Sequence, residues 1–223
     1  MSRQTRPEII PAILPRDFAE ITEKVELIKG FVKTVQIDIC DGHFVPSFTW
    51  PYKKHDDSYE KMLHEEEGLP SWKELDYEFD LMVDYPEKVI ENWVMVGATR
   101  IVIHAETKGD VVAAVNSLAG RVEVGLAFNI DTEVAIPAGV NFIQLMGIDH
   151  VGYQGQSFDD KVLEKIRTTR AKYPDMPISI DGAVSFETAP KLIAAGANRL
   201  IIGSAIFESD NPIDAVAKFK SML

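Results

Sequence analysis

Thr34-Val35-Gln36-Ile37-Asp38-Ile39-Cys40 alternates aliphatic and polar side chains over seven residues. A period of two marks a β-strand with two unlike faces. Val35, Ile37 and Ile39 share one face, and Gln36, Asp38 and Cys40 share the other. The sorting recurs in Tyr77–Val83, where Tyr77, Phe79, Leu81 and Val83 oppose Glu78, Asp80 and Met82. It recurs again in Ile178–Asp181, where Ile178 and Ile180 oppose Ser179 and Asp181. Ile9–Leu14, Arg100–His104, Glu123–Phe128, Asn141–Met146 and Arg199–Ile202 complete a set of eight strand-like runs.

Helical patterns fill the intervals, most plainly at Phe18–Lys29, Pro86–Val96, Asp159–Tyr173, Ser185–Ala195 and Pro212–Met222. Ser185 with Thr188 predicts a capped start, and Gly97 and Gly196 sit where helix C-caps belong. Strands alternating with helices imply a parallel sheet, because parallel neighbours need a crossover connection. Spreading 223 residues over eight units allows about 28 for each, which suits a small (β/α)8 TIM barrel. A doubly wound open sheet is the alternative, but it leaves two edges and normally uses fewer units. No Pro/Ser-rich linker interrupts the chain, so one α/β domain over residues 1–223 is expected. Gly42–Leu75 is the least regular stretch. It reads either as a solvated helix near Asp57–Glu67 with a loop to Pro70, or as a lid or subunit contact bearing Trp50, Tyr52 and Trp72.

Composition narrows the function classes. Acidic residues outnumber basic ones by 35 to 23, a formal charge of −12, which disfavours nucleic-acid and anionic-membrane partners. A single cysteine, Cys40, excludes an internal disulfide and any multi-cysteine metal site. No apolar run reaches the roughly 18 residues of a membrane span, and the first seven residues do not read as a signal peptide. A cytoplasmic protein is the expectation.

In a barrel the aliphatic strand faces meet the helices, so the polar faces point inward. Gln36, Asp38, Glu78, Asp80, His104, Gln144, Met146, Ser179 and Asp181 are then interior, with Asn129 at the end of its strand. Most lie at the C-terminal strand ends, where active sites of this fold form. Three carboxylates meeting there (Asp38, Asp80 and Asp181) need a cation, a shared proton or raised pKa values; local capping of loop amides is the plainer alternative. Gly152 and Gly155, Gly182 with Ala183, and Gly203-Ser204 follow strands six, seven and eight. Backbone amides of the last two loops are a recurrent phosphate site in this fold, so a phosphorylated substrate is expected.

These residues resemble the ribulose-phosphate 3-epimerase family along almost the whole chain, from Ile10-Pro11-Ala12-Ile13-Leu14 to Gly203-Ser204-Ala205-Ile206-Phe207. Asp38-Ile39-Cys40-Asp41-Gly42-His43-Phe44-Val45-Pro46 and Leu81-Met82-Val83 with Pro86 carry it most specifically. Asn129, the Gly152–Phe158 loop and Asp181-Gly182 add to it. The resemblance implies a ribulose-phosphate-binding barrel and a divalent metal. It also implies an aspartate pair, here Asp38 and Asp181, that interconverts D-ribulose 5-phosphate and D-xylulose 5-phosphate at C3. Ala12, Gly152, Gly155, Gly182, Ala183, Gly203 and Ser204 fall at the phosphate and substrate positions.

The sequence also departs from the family pattern. Gln36 and Asp80 stand where the family has histidines, Ala12 where it has Ser, Cys40 where it has Met, and Ala183 where it has a second Gly. Asp149-His150 lengthens the loop after strand six. Gln36, Asp38, Asp80 and Asp181 then form an all-oxygen ligand set, better suited to Mg²⁺, Mn²⁺ or Ca²⁺ than to Zn²⁺. Without a metal, Gln36 and Asp80 would contact substrate. His104 reads as a substrate contact or a hydrogen-bonded core histidine, His43 as a structural loop residue, and His150 as a candidate replacement imidazole. Another sugar-phosphate epimerase or lyase is an alternative, although no inward lysine ends a strand for Schiff-base chemistry. A non-catalytic sugar-phosphate-binding paralogue is another. The implied family commonly self-associates, so a homo-oligomer is a further expectation.

Overall fold

The computed structural model describes residues 7–53, 56–149, 151–153 and 156–223. Among them, β1 (Glu8–Ile13), β2 (Thr34–Cys40), β3 (Asp76–Met82), β4 (Arg100–His104), β5 (Glu123–Phe128), β6 (Phe142–Met146), β7 (Ile178–Asp181) and β8 (Arg199–Ile202) close into a parallel barrel. Each strand pairs with its sequence neighbours, and β1 meets β8. Every strand expected from the sequence is present, with ends shifted by at most one residue. The open doubly wound sheet is thereby excluded.

The helices are α1 (Phe18–Ile28), α2 (Ser58–Leu63), α3 (Ile90–Val96), α4 (Val111–Leu118), α5 (Lys161–Lys172), α6 (Ala189–Ala195), α7 (Ser204–Phe207) and α8 (Pro212–Ser221). A 3-10 turn, Pro86–Lys88, precedes α3. Gly97 and Gly196 end α3 and α6 with φ of 111° and 120°, conformations that glycine adopts without steric cost. Before α6, the Ser185 and Thr188 side-chain oxygens each accept the other residue's backbone N–H. No helix among the described residues is long and apolar enough to cross a membrane.

The outward strand faces and the helices build the main core. Val35, Ile37, Ile39, Phe79, Leu81, Ile101, Ile103, Ile178 and Ile180 are all buried in it. Trp50, expected on an exposed stretch, is instead wholly buried. Its ring lies 5.5 Å from Phe18 and 6.0 Å from Trp93. Trp72 remains 63% exposed. The helix in that stretch, α2, is shorter than expected and ends before Glu65, which sits at φ 61°.

Inside the barrel the chain is polar at both ends. At the floor Arg100 lies 3.3 Å from Glu8, 3.6 Å from Glu78 and 3.1 Å from Glu123, and Arg199 lies 3.2 Å from Glu123. Above this layer, Ile10, Ala12 and Ile201 pack together, and Val102, Ala127 and Phe142 form a second apolar group. The mouth comes next.

Between β5 and β6 the described residues contain no helix. The α5 lysine Lys165 holds that connection instead, its ammonium donating to the carbonyls of Asn129, Ile130 (3.0 Å) and Thr132 (2.6 Å). Replacing it by Met (Lys165→Met) leaves these carbonyls without their donor, at a cost of about 1–3 kcal/mol. The melting temperature is expected to fall by roughly 2–4 °C for each of those kcal/mol. A melting curve within a degree of the unaltered protein would contradict that role.

Candidate functional site

Register places Asp38 of β2 directly beside Asp80 of β3, and both side chains face the barrel axis. Asp181 closes β7 on the far side. One carboxylate oxygen from each of the three lies within 4.8 Å of the others. Asp80 is completely buried, Asp38 is 8% exposed, and Asp181 is half-buried. Gln36 bridges two of them: its Nε2 donates to Asp38 Oδ1 at 2.8 Å and to Asp181 Oδ2 at 3.4 Å. Asp80 has its own pair of partners, His104 Nε2 at 3.0 Å from Oδ1 and Gln144 Nε2 at 2.9 Å from Oδ2.

Local loop structure holds these strand ends in place. Thr49 Oγ1 accepts from Cys40 N and donates to Asp38 O, both at 2.8 Å, clamping the residues on either side of Ile39. The Asp41 carboxylate accepts from the amides of His43, Phe44 and Asp84, which ties the loop after β2 to the loop after β3. His43 is exposed and enters this arrangement through its backbone. Cys40, Val45 and Met82 pack into an apolar group over the carboxylates, with Phe44 and Val151 against it.

Burial and repulsion set the proton affinities. Loss of hydration, then the charges of Asp181 and Asp80, raise Asp38 well above the usual carboxylate range. Burial, then the charge of Asp80, pushes Asp181 up to about 7. For His104, burial works against the charged ring, but Asp80 outweighs it and the imidazole is raised above 6.5. His104 is thus a buried, hydrogen-bonded histidine, and its ring lies 5.0 Å from that of Phe44. Glu78 on the floor is also raised, to about 7, chiefly by burial.

A cleft at the mouth is lined by Asp38 and Asp181 together with Ala12, Gly152, Gly182, Ala183, Gly203 and Ser204. Met82, Met146, Tyr153 and Gln156 line it too. Gly203 precedes the short helix α7, and Gly203 and Ser204 at its start both line the cleft. Ala183 sits at φ 53°, a left-handed conformation that costs a side-chain-bearing residue roughly 1–2 kcal/mol. Thr188 Oγ1 restrains it by donating to its carbonyl at 3.0 Å. Gly155 and His150 lie outside the described residues. Gln36 and Asp80 sit behind the cleft, joined to it through Asp38 and Asp181. Asn129 also stands off the cleft, its N–H donating to Glu106 at 2.8 Å. The partners of Asp80 were not assigned from the sequence, although Gln144 and His104 both fall on inward faces. An inward amide level with an inward carboxylate was the available signal.

The cluster could hold a metal ion: its donors are close enough and all are carboxylate oxygens, a set that favours hard cations. As placed, Gln36 turns its amide nitrogen toward Asp38, so it donates there instead of presenting its oxygen.

Residues 8–207 match the model of a family described as the ribulose-phosphate 3-epimerase family. A ribulose-phosphate 3-epimerase of Bacillus subtilis is 28% identical over 96% of this chain and 98% of its own length. The cytoplasmic isoform from Oryza sativa subsp. japonica is 25% identical over 99% and 96%. In fold, the chain resembles a 3-hexulose-6-phosphate synthase from Salmonella typhimurium, with a TM-score of 0.67 at 14% identity over 97% of this chain and 98% of that one. It also resembles an orotidine 5'-monophosphate decarboxylase from Sulfolobus solfataricus, with a TM-score of 0.61 at 15% identity over 97% of each.

The raised groups all bias stability in one direction. An acid with an elevated folded pKa binds more protons when folded, so stability falls as pH climbs from its unfolded to its folded value. Asp38, Asp181 and Glu78 act this way. The raised His104 adds to it, because its contribution is lost as pH rises through its folded value. The melting temperature is expected to decline between about pH 5 and pH 8, with a shallower slope in Asp181→Asn. A melting temperature that climbs across that range would contradict these proton affinities.

Proposed function

The chain belongs to the ribulose-phosphate 3-epimerase family, and from that premise we propose that it interconverts D-ribulose 5-phosphate and D-xylulose 5-phosphate by proton transfer at C3. Asp38 and Asp181 are the catalytic pair. Inverting a carbon next to a carbonyl requires a base on one face and an acid on the other. One aspartate must therefore be ionised while the other carries a proton.

The observation that carries this reading is the raised proton affinity of two aspartates bridged by one amide, Gln36. Two such groups hold one proton between them near neutral pH. The ionised partner takes the C3 proton, and the protonated partner delivers one to the opposite face; in the reverse direction they exchange roles. Gln36 keeps both oriented in either state, because its two N–H bonds each have a carboxylate to meet. The apolar group of Cys40, Val45 and Met82 limits water around the site, which strengthens local electrostatics.

The substrate phosphate would rest on the backbone amides of Gly182, Ala183, Gly203 and Ser204, with Gly152 and Ala12 also lining the cleft. Among the described residues lining the cleft there is no side-chain cation, so backbone amides would provide the attraction there. Asp38, Asp80 and Asp181 are the residues that would hold a divalent ion, joined by Gln36 with its amide turned. Mg²⁺, Mn²⁺ or Ca²⁺ fits this oxygen set better than Zn²⁺. Such an ion would stabilise negative charge developing on the substrate oxygens.

Incubating the protein with D-ribulose 5-phosphate and Mg²⁺ or Mn²⁺ in deuterium oxide tests the proposal directly. Deuterium is expected at C3 as xylulose 5-phosphate accumulates, followed by NMR. Asp181→Asn should slow exchange by about 10²–10⁴-fold; near-normal exchange in that variant would refute the pair. Substrate-induced thermal stabilisation with no exchange in the unaltered protein would identify a binding protein instead. Elemental analysis of protein purified without chelator is expected to find a divalent ion. Less than roughly a tenth of an equivalent would contradict tight retention of one.

A further inference from the structure

Both oxygens of Asp80 are already engaged by buried side chains. His104 Nε2 lies 3.0 Å from Oδ1, and Gln144 donates to Oδ2 at 2.9 Å. The partners approach from different strands, β4 and β6, and all three side chains are completely buried. His104, Gln144 and Asp80 itself all stand behind the residues that line the mouth cleft, and Asp80 reaches the site through its closeness to Asp38 and Asp181.

Holding this arrangement has a cost. Gln144 leaves its buried Oε1 without a hydrogen-bond partner, and His104 leaves its buried Nδ1 without one, 3.9 Å from Glu106 Oε2. An aliphatic side chain of similar volume at 144 would fill the space with no orphaned oxygen. The strand nevertheless places an amide there, with its nitrogen on Asp80. Each carboxylate oxygen has two lone pairs, so one N–H per oxygen orients the group and still leaves it able to bind a cation. An oxygen of Asp80 also lies within 4.8 Å of an oxygen from Asp38 and from Asp181.

We infer that His104 and Gln144 are positioning residues that act through Asp80, locking its carboxylate in the orientation that makes it the third oxygen donor to a divalent cation. This rests on the cation reading of the same site given above. The imidazole of this chain thus stands one residue back from the ion, and Gln144 is its counterpart on the opposite oxygen. Removing outer hydrogen bonds of this kind typically weakens metal binding by about 10–100-fold.

Calorimetric titration of the purified full chain with Mn²⁺ alone tests the inference, with circular dichroism to establish folding. Saturable binding is expected for the unaltered protein. Gln144→Met and His104→Leu should each weaken it by about 10–100-fold. His104→Gln, which keeps an N–H donor for Asp80, should restore most of the affinity lost in His104→Leu. A merely structural role would lower the melting temperature of these variants without moving Mn²⁺ affinity. Folded Gln144→Met and His104→Leu proteins binding Mn²⁺ within about twofold of the original would overturn the assignment. If Gln144→Met does not fold, the contrast between His104→Leu and His104→Gln decides. Absence of Mn²⁺ binding by the unaltered protein would defeat the cation reading itself, and that result appears before any substitution is made.

Discussion

Three carboxylates drawn to within 4.8 Å of one another in a buried barrel mouth lose hydration and repel each other. Much of what distinguishes this chain offsets that conflict. Isolated buried charges are strongly disfavoured unless paired, hydrogen-bonded or neutralised by protonation. All three remedies are present. Asp80 is paired with a raised imidazole, His104; Gln36 and Gln144 donate amide hydrogens; Asp38 and Asp181 retain a proton far above the usual carboxylate range. The last remedy matters most for chemistry, since a carboxyl that titrates near neutrality can both give and accept a proton at working pH.

The barrel makes this concentration of charge tolerable. Its outward strand faces bury an almost wholly aliphatic and aromatic layer against the helices, so stability does not depend on an apolar interior. The interior is then free to be polar at the floor, where Arg100 and Arg199 meet Glu8, Glu78 and Glu123, and again at the mouth. β3 contributes to both layers: Glu78 at the floor and Asp80 two residues on are separated by one turn of the strand alternation. Small apolar groups around Ala12 and Val102 pack inside the barrel alongside these polar layers.

Much of this was legible in the sequence because a period of two is a local property. Alternation in Thr34–Cys40 and Tyr77–Val83 placed Asp38 and Asp80 on interior faces, and β2–β3 register then set them side by side. Gly97 and Gly196 marked helix ends by their conformational needs alone. Pairings across the barrel were not legible. That Asp80 would be gripped from β4 and β6 depends on side chains 24 and 64 residues away, and no local pattern encodes that. The missing helix between β5 and β6 was hidden for a similar reason, because the substitute is a lysine on α5 reaching back over 33 to 36 residues. Trp50 looked like an exposed aromatic because its stretch is irregular, yet it closes an aromatic cluster with Phe18 and Trp93.

The central claim is that Asp38 and Asp181 hold one proton between them near neutral pH. Carbon-13 NMR of protein labelled at the aspartate carboxyl carbon, titrated from about pH 4 to pH 9, reads that proton directly. A carboxyl resonance that titrates above about pH 6, and that is lost in Asp181→Asn, is the predicted result. Titration of every aspartate below about pH 5 would contradict it.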